Sequence, residues 1–225
     1  MVHACAMDIV STRQAASRDR NPIAACVLAA GRGRRMGGQA KSAIRIGARS
    51  ILEDLVHALR EGGCDHVTVL VGPYADILRP LAARCGARVA EVGRPDGSIV
   101  DTQRDAVAHH LQHHPRSDLL ITVADLPLLR PAHVQALLSA WRQDGGRHGA
   151  MAPMVDGQRG HPVVLARDDV RALARDGAVG GVRGWLQAHP DRLALWLSTD
   201  AAFITDVDTP EALASLKRLA PFTDR

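Results

Sequence analysis

Three stretches of this chain combine residue types and spacings suited to phosphate chemistry. The first is Leu28-Ala29-Ala30-Gly31-Arg32-Gly33-Arg34-Arg35-Met36-Gly37-Gly38-Gln39-Ala40-Lys41, which follows an apolar run directly. Small residues let a backbone approach a ligand closely, and successive exposed N–H groups form an anion-binding concavity. Arg35 and Lys41 add fixed positive charge for a polyphosphate. Two familiar phosphate loops fail on spacing. A dinucleotide fingerprint needs glycine at 31, 33 and 36, but position 36 is Met, which disfavours a nicotinamide-dinucleotide dehydrogenase. A Walker loop ending at Lys41-Ser42 needs glycine at 35 and 40, where this chain has Arg and Ala. The competing reading is a basic surface turn; its place directly after a buried strand favours the ligand.

The second stretch is Asp125, at the end of the run Asp118-Leu-Leu-Ile-Thr-Val-Ala124 and followed by Leu126-Pro127. A carboxylate leaving a buried strand suits Mg²⁺, which takes one or two carboxylates plus substrate phosphates. An Asp that merely initiates a turn fits equally well. The third is Ile204-Thr-Asp206-Val-Asp208-Thr-Pro-Glu211. If this is a strand end, Asp206 and Asp208 alternate and only one enters a given site. Asp208, with Glu211 three residues on, has capping-box spacing, which leaves Asp206 as the better metal ligand, although capping and coordination can coexist.

The elements that must hold these stretches alternate. Ile23–Ala29 reads as a strand buried on both faces. Ser50-Ile-Leu-Glu53 has capping-box spacing, and Ile51, Leu52, Leu55, Val56 and Leu59 continue at helical period. Strands are expected over 66–71, 88–92 and 118–124. Helices are expected over 75–85 (bent or started at Pro80), over 98–114 with Val100, Val107 and Leu111 on one side, and over 131–142 with Pro131 near the start. Short strands, a Gly-rich segment at 176–184, a helix around Trp185 and a last helix over 209–219 complete the pattern. Repeated β-α alternation predicts a mostly parallel sheet with helices on both faces, and its ligands bind beyond the carboxyl ends of the strands. The chain is expected to be a single domain over 22–225, preceded by a loose polar tail at 1–21.

Composition excludes several classes. No apolar run approaches the roughly 20 residues of a membrane span. The N-terminus lacks a basic start before an apolar stretch, so no secretory signal is expected. Cys5, Cys26, Cys64 and Cys85 show no CxxC pairing and read as intracellular thiols, which points to a cytoplasmic protein. A net charge of +4, with only six Phe, Trp and Tyr residues, argues against nucleic acid as a partner. Only Lys41 and Lys217 are lysines in a chain rich in arginine, which marks Lys41 as a position where a compact ammonium matters. The pairs His109/His113 and His110/His114 have i, i+4 spacing, but no carboxylate or cysteine completes a zinc site and a solvated helix face is expected.

The loop at 28–41, Val123-Ala-Asp125-Leu-Pro-Leu-Leu129, Gly160-His161-Pro162 and Asp206-Val-Asp208-Thr-Pro-Glu-Ala-Leu213, in this order and spacing, resemble the MobA-like nucleotidyltransferase family over roughly residues 22–219. The resemblance implies a three-layer Rossmann-like fold and Mg²⁺-dependent transfer of a nucleoside monophosphate from CTP or GTP to the phosphate of a molybdopterin-type cofactor. It implies that Leu28, Ala29, Ala30, Gly31, Gly33, Arg35, Lys41, Gly97 and Asp125 bind the nucleotide. Arg35, Lys41 and Asp125 would take the catalytic roles, and Asp125, Asp206 and Asp208 are the candidate metal ligands. The Leu-Ala-Ala-Gly segment is similar to that of the cytidylyl-transferring branch, so CTP is favoured. The segment from Lys41 to Ile44 matches neither branch. Asp101 stands where the family usually has Ser, so either the base is read differently or the acceptor is another phosphorylated molecule, such as a sugar phosphate or a phospho-lactate. His161 is expected to donate to a pterin or phosphate, or else to be satisfied by backbone. Arg183 is expected at the acceptor phosphate. A molybdoenzyme or its chaperone would be the protein partner, and a non-catalytic molybdenum cofactor carrier is the reading from another class.

Overall fold

A computed structural model describes residues 21–33, 37–94, 96–177 and 180–219, so nearly all of the expected N-terminal tail lies outside the described residues. Ile23–Ala29 (β1) is buried along its whole length. Its parallel neighbours are His66–Val71 (β4) on one side and Asp118–Val123 (β6) on the other. Arg88–Glu91 (β5) extends the sheet past β4. Beyond β6 come antiparallel Val163–Leu165 (β9), then Ala150–Val155 (β7) and Leu193–Leu197 (β10), while Gln158–Arg159 (β8) folds back on β7. Arg45–Ile46 (β2) and Arg49–Ser50 (β3) form a separate hairpin.

The main sheet runs β10-β7-β9-β6-β1-β4-β5. The chain therefore moves outward from β1 to β4 and β5, then returns to pair β6 on the other flank of β1. That reversal opens a crevice beyond the carboxyl ends of β1 and β6, the general ligand position of such sheets. The fold is the expected three-layer α/β arrangement with a mostly parallel central sheet.

Alternate side chains of β1 supply both cores, because strand residues point to opposite faces. Ile23, Ala25, Val27 and Ala29 join Ile51–Glu61 (α1), Ala75–Arg84 (α2) and Pro131–Asp144 (α4). Cys26 and Leu28 face Ile99–His113 (α3), Arg167–Arg175 (α5) and Gly181–Ala188 (α6). Helix α1 illustrates the energetics. Leu52, Leu55, Val56 and Leu59 are fully buried, each contributing roughly 2 kcal/mol by burial. Its start is fixed by the expected capping box: Ser50 Oγ accepts from Glu53 N (3.3 Å), and Glu53 Oε2 accepts from Ser50 N (2.8 Å).

Three expectations are corrected. Helix α2 runs through Pro80 rather than starting there, held by buried Leu78 and Ala82 on either side. The fully buried face of α3 keeps the expected Val107 but is otherwise Thr102, Ala106 and His110, with Leu111 only partly buried against the core. His110 and His114 are buried rather than solvated. The end of α3 leans on the start of β4, where His114 stacks on His66 at a 4.4 Å centroid distance, and His110 Nε2 lies 3.1 Å from Ser117 O. Burial pushes His110 and His114 down to about 4. The buried Asp118 carboxylate ties the layers together, accepting from Trp141 Nε1 (3.0 Å) and Arg167 N (3.0 Å).

Candidate active site

The crevice at the switch point encloses a cavity of about 200 Å³. Its floor is the end of β1, Leu28 through Gly31, together with Gly33. Lys41 and Ser42 form one wall, Ala124 and Asp125 beyond β6 form a second, and Gly97 closes a third before α3. All the expected nucleotide-contacting residues except Arg35 thus line one space; Arg35 lies outside the described residues. Tyr74, Ile99 and Thr102 also line it, and sequence reasoning missed them. They come from loop ends and a helix start, where no periodicity marks a residue as ligand-facing.

The loop's shape depends on glycine at 33. Its φ is +56°, and a Cβ there would stand 2.0 Å from Gln39 O. The same neck is closed by Gly38 N donating to Gly33 O at 3.0 Å. Lys41 opens a short 3₁₀ turn over Lys41–Ala43. Its Nζ ion-pairs with Asp208 and stands 3.9 Å from Asp125 Oδ2. Burial pushes the Asp125 carboxyl above the usual carboxylate range, Lys41 pulls it back, and the nearby carboxylates of Asp206 and Asp208 push it up further.

Asp206 and Asp208 reach this corner by a route different from the expected one. Residues 205–208 form neither strand nor helix. Val207 N donates to Asp125 O (3.1 Å), and the Val207 side chain is buried against Ile51 and Leu216. The cap lies one residue beyond the expected Asp208. Thr209 Oγ1 instead accepts from Ala212 N (3.2 Å) at the start of Pro210–Leu219 (α7). A threonine in the capping position leaves Asp208 for Lys41, while Asp206 is exposed. Among the described residues, no group of three His, Cys, Asp or Glu side chains is arranged to hold a metal by itself.

Asp101, unexpected beside a nucleotide, is a capping residue. Its Oδ2 accepts from Ser98 N (2.8 Å) and Ser98 Oγ accepts from Asp101 N (3.2 Å), which starts α3. These hydrogen bonds from Ser98 hold the Asp101 carboxyl below its usual range.

His161 and Arg183 lie apart from the cavity lining. His161 N donates to Phe203 O (2.8 Å), but Nδ1 is buried without a partner among the described residues. Burial, with a smaller push from Arg159, lowers its imidazole to about 4. Burial also lowers Arg159, and Arg183 adds to that. Arg159, missed in the sequence although only two residues before His161, is electrostatically coupled to both expected acceptor residues.

A glycine loop beyond the first strand, ending on a lysine held between Asp125 and Asp208, sits at the switch point where such sheets bind their ligands. The chain belongs to the MobA-like NTP transferase domain family, which it matches over residues 25–193. Nicotine blue oxidoreductase of Paenarthrobacter nicotinovorans is 26% identical over 199 residues, covering 86% of this chain and 96% of that protein. Bifunctional protein GlmU of Azorhizobium caulinodans is 34% identical over 119 residues, 49% of this chain; the chain spans only 25% of that relative's length. Among solved structures, Rv0371c from Mycobacterium tuberculosis H37Rv superposes with a TM-score of 0.72 at 24% identity, covering 88% of this chain and 98% of that one. A structure of Rv0371c in complex with manganese gives 0.68. No helix among the described residues is long and apolar enough to cross a membrane.

Proposed function

We propose that this protein is a divalent-metal-dependent nucleotidyltransferase of the cytoplasm. It moves a nucleoside monophosphate, CMP favoured, from an NTP to the phosphate of a molybdopterin-type cofactor and releases pyrophosphate. The observation that carries this reading is the cavity between the glycine loop and the Lys41–Asp125–Asp208 corner. Backbone N–H groups of residues 31–33, with Arg35 and Lys41, hold the triphosphate. Asp125 and Asp206 would hold the metal, while Asp208 holds Lys41. Burial, with the nearby carboxylates of Asp206 and Asp208, pushes Asp125 up against the pull of Lys41, and a hard cation bound by oxygen would relieve that push. Magnesium keeps several waters and takes few protein ligands, so one or two aspartates with substrate phosphates would be enough to hold it. The manganese complex of Rv0371c supports a divalent ion here. When bound, the ion offsets charge on the phosphate oxygens.

An oxygen of the acceptor phosphate attacks the α-phosphorus in line. A new P–O bond forms, the bond to the oxygen bridging the β-phosphorus breaks, and pyrophosphate leaves. The nucleophile is already anionic, so the chain needs no strong general base. Its own contribution is alignment and fixed positive charge where negative charge develops. His161 and Arg183, with Arg159 beside them, receive the acceptor.

The nearly complete span of nicotine blue oxidoreductase favours a second reading, an oxidoreductase on the same scaffold. Pyrophosphate release measured over a grid of NTPs and phosphorylated acceptors, with Mg²⁺ or Mn²⁺, separates the two. Turnover with CTP and molybdopterin is expected. Turnover only with a sugar phosphate or phospho-lactate would move the acceptor. Tight molybdopterin binding without nucleotide turnover would make the protein a carrier. Pyridine-nucleotide oxidation without pyrophosphate release would favour the second reading.

A further inference from the structure

Tyr74 is the chain's only tyrosine, and it follows β4 at the N-cap of α2. Its ring packs against the main core and lines the cavity. Its hydroxyl makes no side-chain cap for α2. It points instead at two carbonyls of the glycine loop, that of Arg32 at 2.9 Å and that of Gly38. These carbonyls belong to the two limbs of the loop, which Gly38 N and Gly33 O already join at the neck. The Arg32 side chain is ion-paired with Asp96 on the far side of the cavity. A phenol has one hydrogen to donate, so the two carbonyls converge on a shared donor.

A trans peptide is planar and its C=O and N–H point in opposite directions. Anchoring the Arg32 carbonyl on the phenol therefore turns the Gly33 N–H away from it, and anchoring Gly38 does the same for Gln39 N–H. Neither N–H donates to a backbone carbonyl among the described residues. Two N–H groups with no backbone partner among the described residues, on a loop whose Gly33 lines the cavity, are what an anion needs.

We infer that Tyr74 is a positioning residue for the phosphate-binding loop: its hydroxyl holds the Arg32 and Gly38 carbonyls so that the Gly33 and Gln39 N–H groups are set in advance for a polyphosphate. The inference rests on the nucleotide reading above and adds to it a residue outside the loop. Prior orientation of this kind lowers the ordering cost that binding would otherwise carry.

The test is Tyr74→Phe, which keeps the ring packing and deletes only the hydroxyl. Affinities for CTP and for inorganic pyrophosphate are measured beside that for cytidine, and amide hydrogen exchange over residues 31–41 is followed without ligand. Binding of CTP and of pyrophosphate is expected to weaken roughly tenfold, the effect of one lost hydrogen bond. Cytidine binding should hold, KM for the nucleotide should rise more than kcat falls, and exchange at the loop should quicken. Unchanged CTP and pyrophosphate affinity in the variant overturns the inference, as does equal weakening for cytidine, which would mean general damage to the cavity. Should the wild-type protein bind neither CTP nor any other NTP nor pyrophosphate, the nucleotide reading itself falls. A variant too unstable to bind is distinguished by its thermal midpoint, and slow loop exchange in its folded fraction would then also count against the inference.

Discussion

Lys41 Nζ and the Asp208 carboxylate are ion-paired across 167 residues of sequence. The pair joins the end of the glycine loop to the segment before the last helix, with Asp125 3.9 Å away as a second carboxylate for the same ammonium. A compact charge at this point can exchange one oxygen partner for another, a phosphate included, with little movement.

Replacing that charge tests the arrangement. Lys41→Ala is expected to cut the transfer rate by about 10²–10³ while circular dichroism and thermal midpoint stay near wild type. Lys41→Arg should restore only part of the loss, because a planar guanidinium cannot stand in for a point charge between two carboxylates.

The two aspartates around Val207 should separate in their effects. Asp206 is exposed and Asp208 is committed to Lys41. Asp206→Asn is expected to raise the Mg²⁺ concentration for half-maximal activity by about tenfold, as removal of a ligand's support commonly does. Asp208→Asn should act more on kcat, through the loosened lysine. A metal titration of both variants decides the matter; equal behaviour would show that both carboxylates serve the ion.

Gly33→Ala places a Cβ where Gln39 O stands, at a φ that side chains rarely adopt. The neck of the loop must open. Loss of the thermal stabilisation given by saturating CTP and Mg²⁺ is expected; in the wild type this is about 2.7 kcal/mol at 100 times the dissociation constant. The fold should survive, since the loop contributes little to either core.

Acid should unfold the protein through its buried imidazoles. Burial lowers His110, His114 and His161 to about 4. Between the ordinary histidine value near 6.5 and about 4, the unfolded chain binds more protons than the folded one. Stability therefore rises with pH across that window and is lost as pH falls through it, by up to about 1.4 kcal/mol per pH unit for each such group. Denaturant midpoints from pH 7 to 4.5 measure the slope. His114→Phe, which keeps the stack on His66, should flatten it.

The Ser98–Asp101 box carries a stability effect distinct from any choice of base. Ser98→Ala should cost about 1 kcal/mol. Asp101→Ser should leave the order of preference among CTP, GTP and ATP unchanged in a thermal-shift screen. A changed order would return Asp101 to the nucleotide.

Much of this architecture can be read from spacing alone. The seven apolar residues of β1, the Ser50–Glu53 box and the Asp at the end of β6 each follow from local chemistry, and the order of strands and helices followed from their alternation. Longer-range facts could not be read that way. Thr209 and Asp208 were both eligible to cap the last helix, and only the docking of Val207 against Asp125 and Ile51 decided between them. The histidines of α3 look solvated because polar i, i+4 pairs usually are. Their burial follows from the way the helix end meets β4, a contact between His66 and His114, far apart in sequence. Tyr74 and Arg159 carried no spacing signal, because what marks them is convergence in space.

The central place of β1 also governs when the molecule can begin to work. Its two flanking strands are synthesised well after it, and the partner of Lys41 comes later still, near the end of the described chain. On a ribosome the glycine loop emerges early but has neither its far wall nor its counter-carboxylates until the chain through Asp208 has been released. Such distant closures are slow steps in folding. Nucleotide can therefore favour only a chain folded through residue 208, and one truncated before that point should collapse around its sheet without gaining a working site.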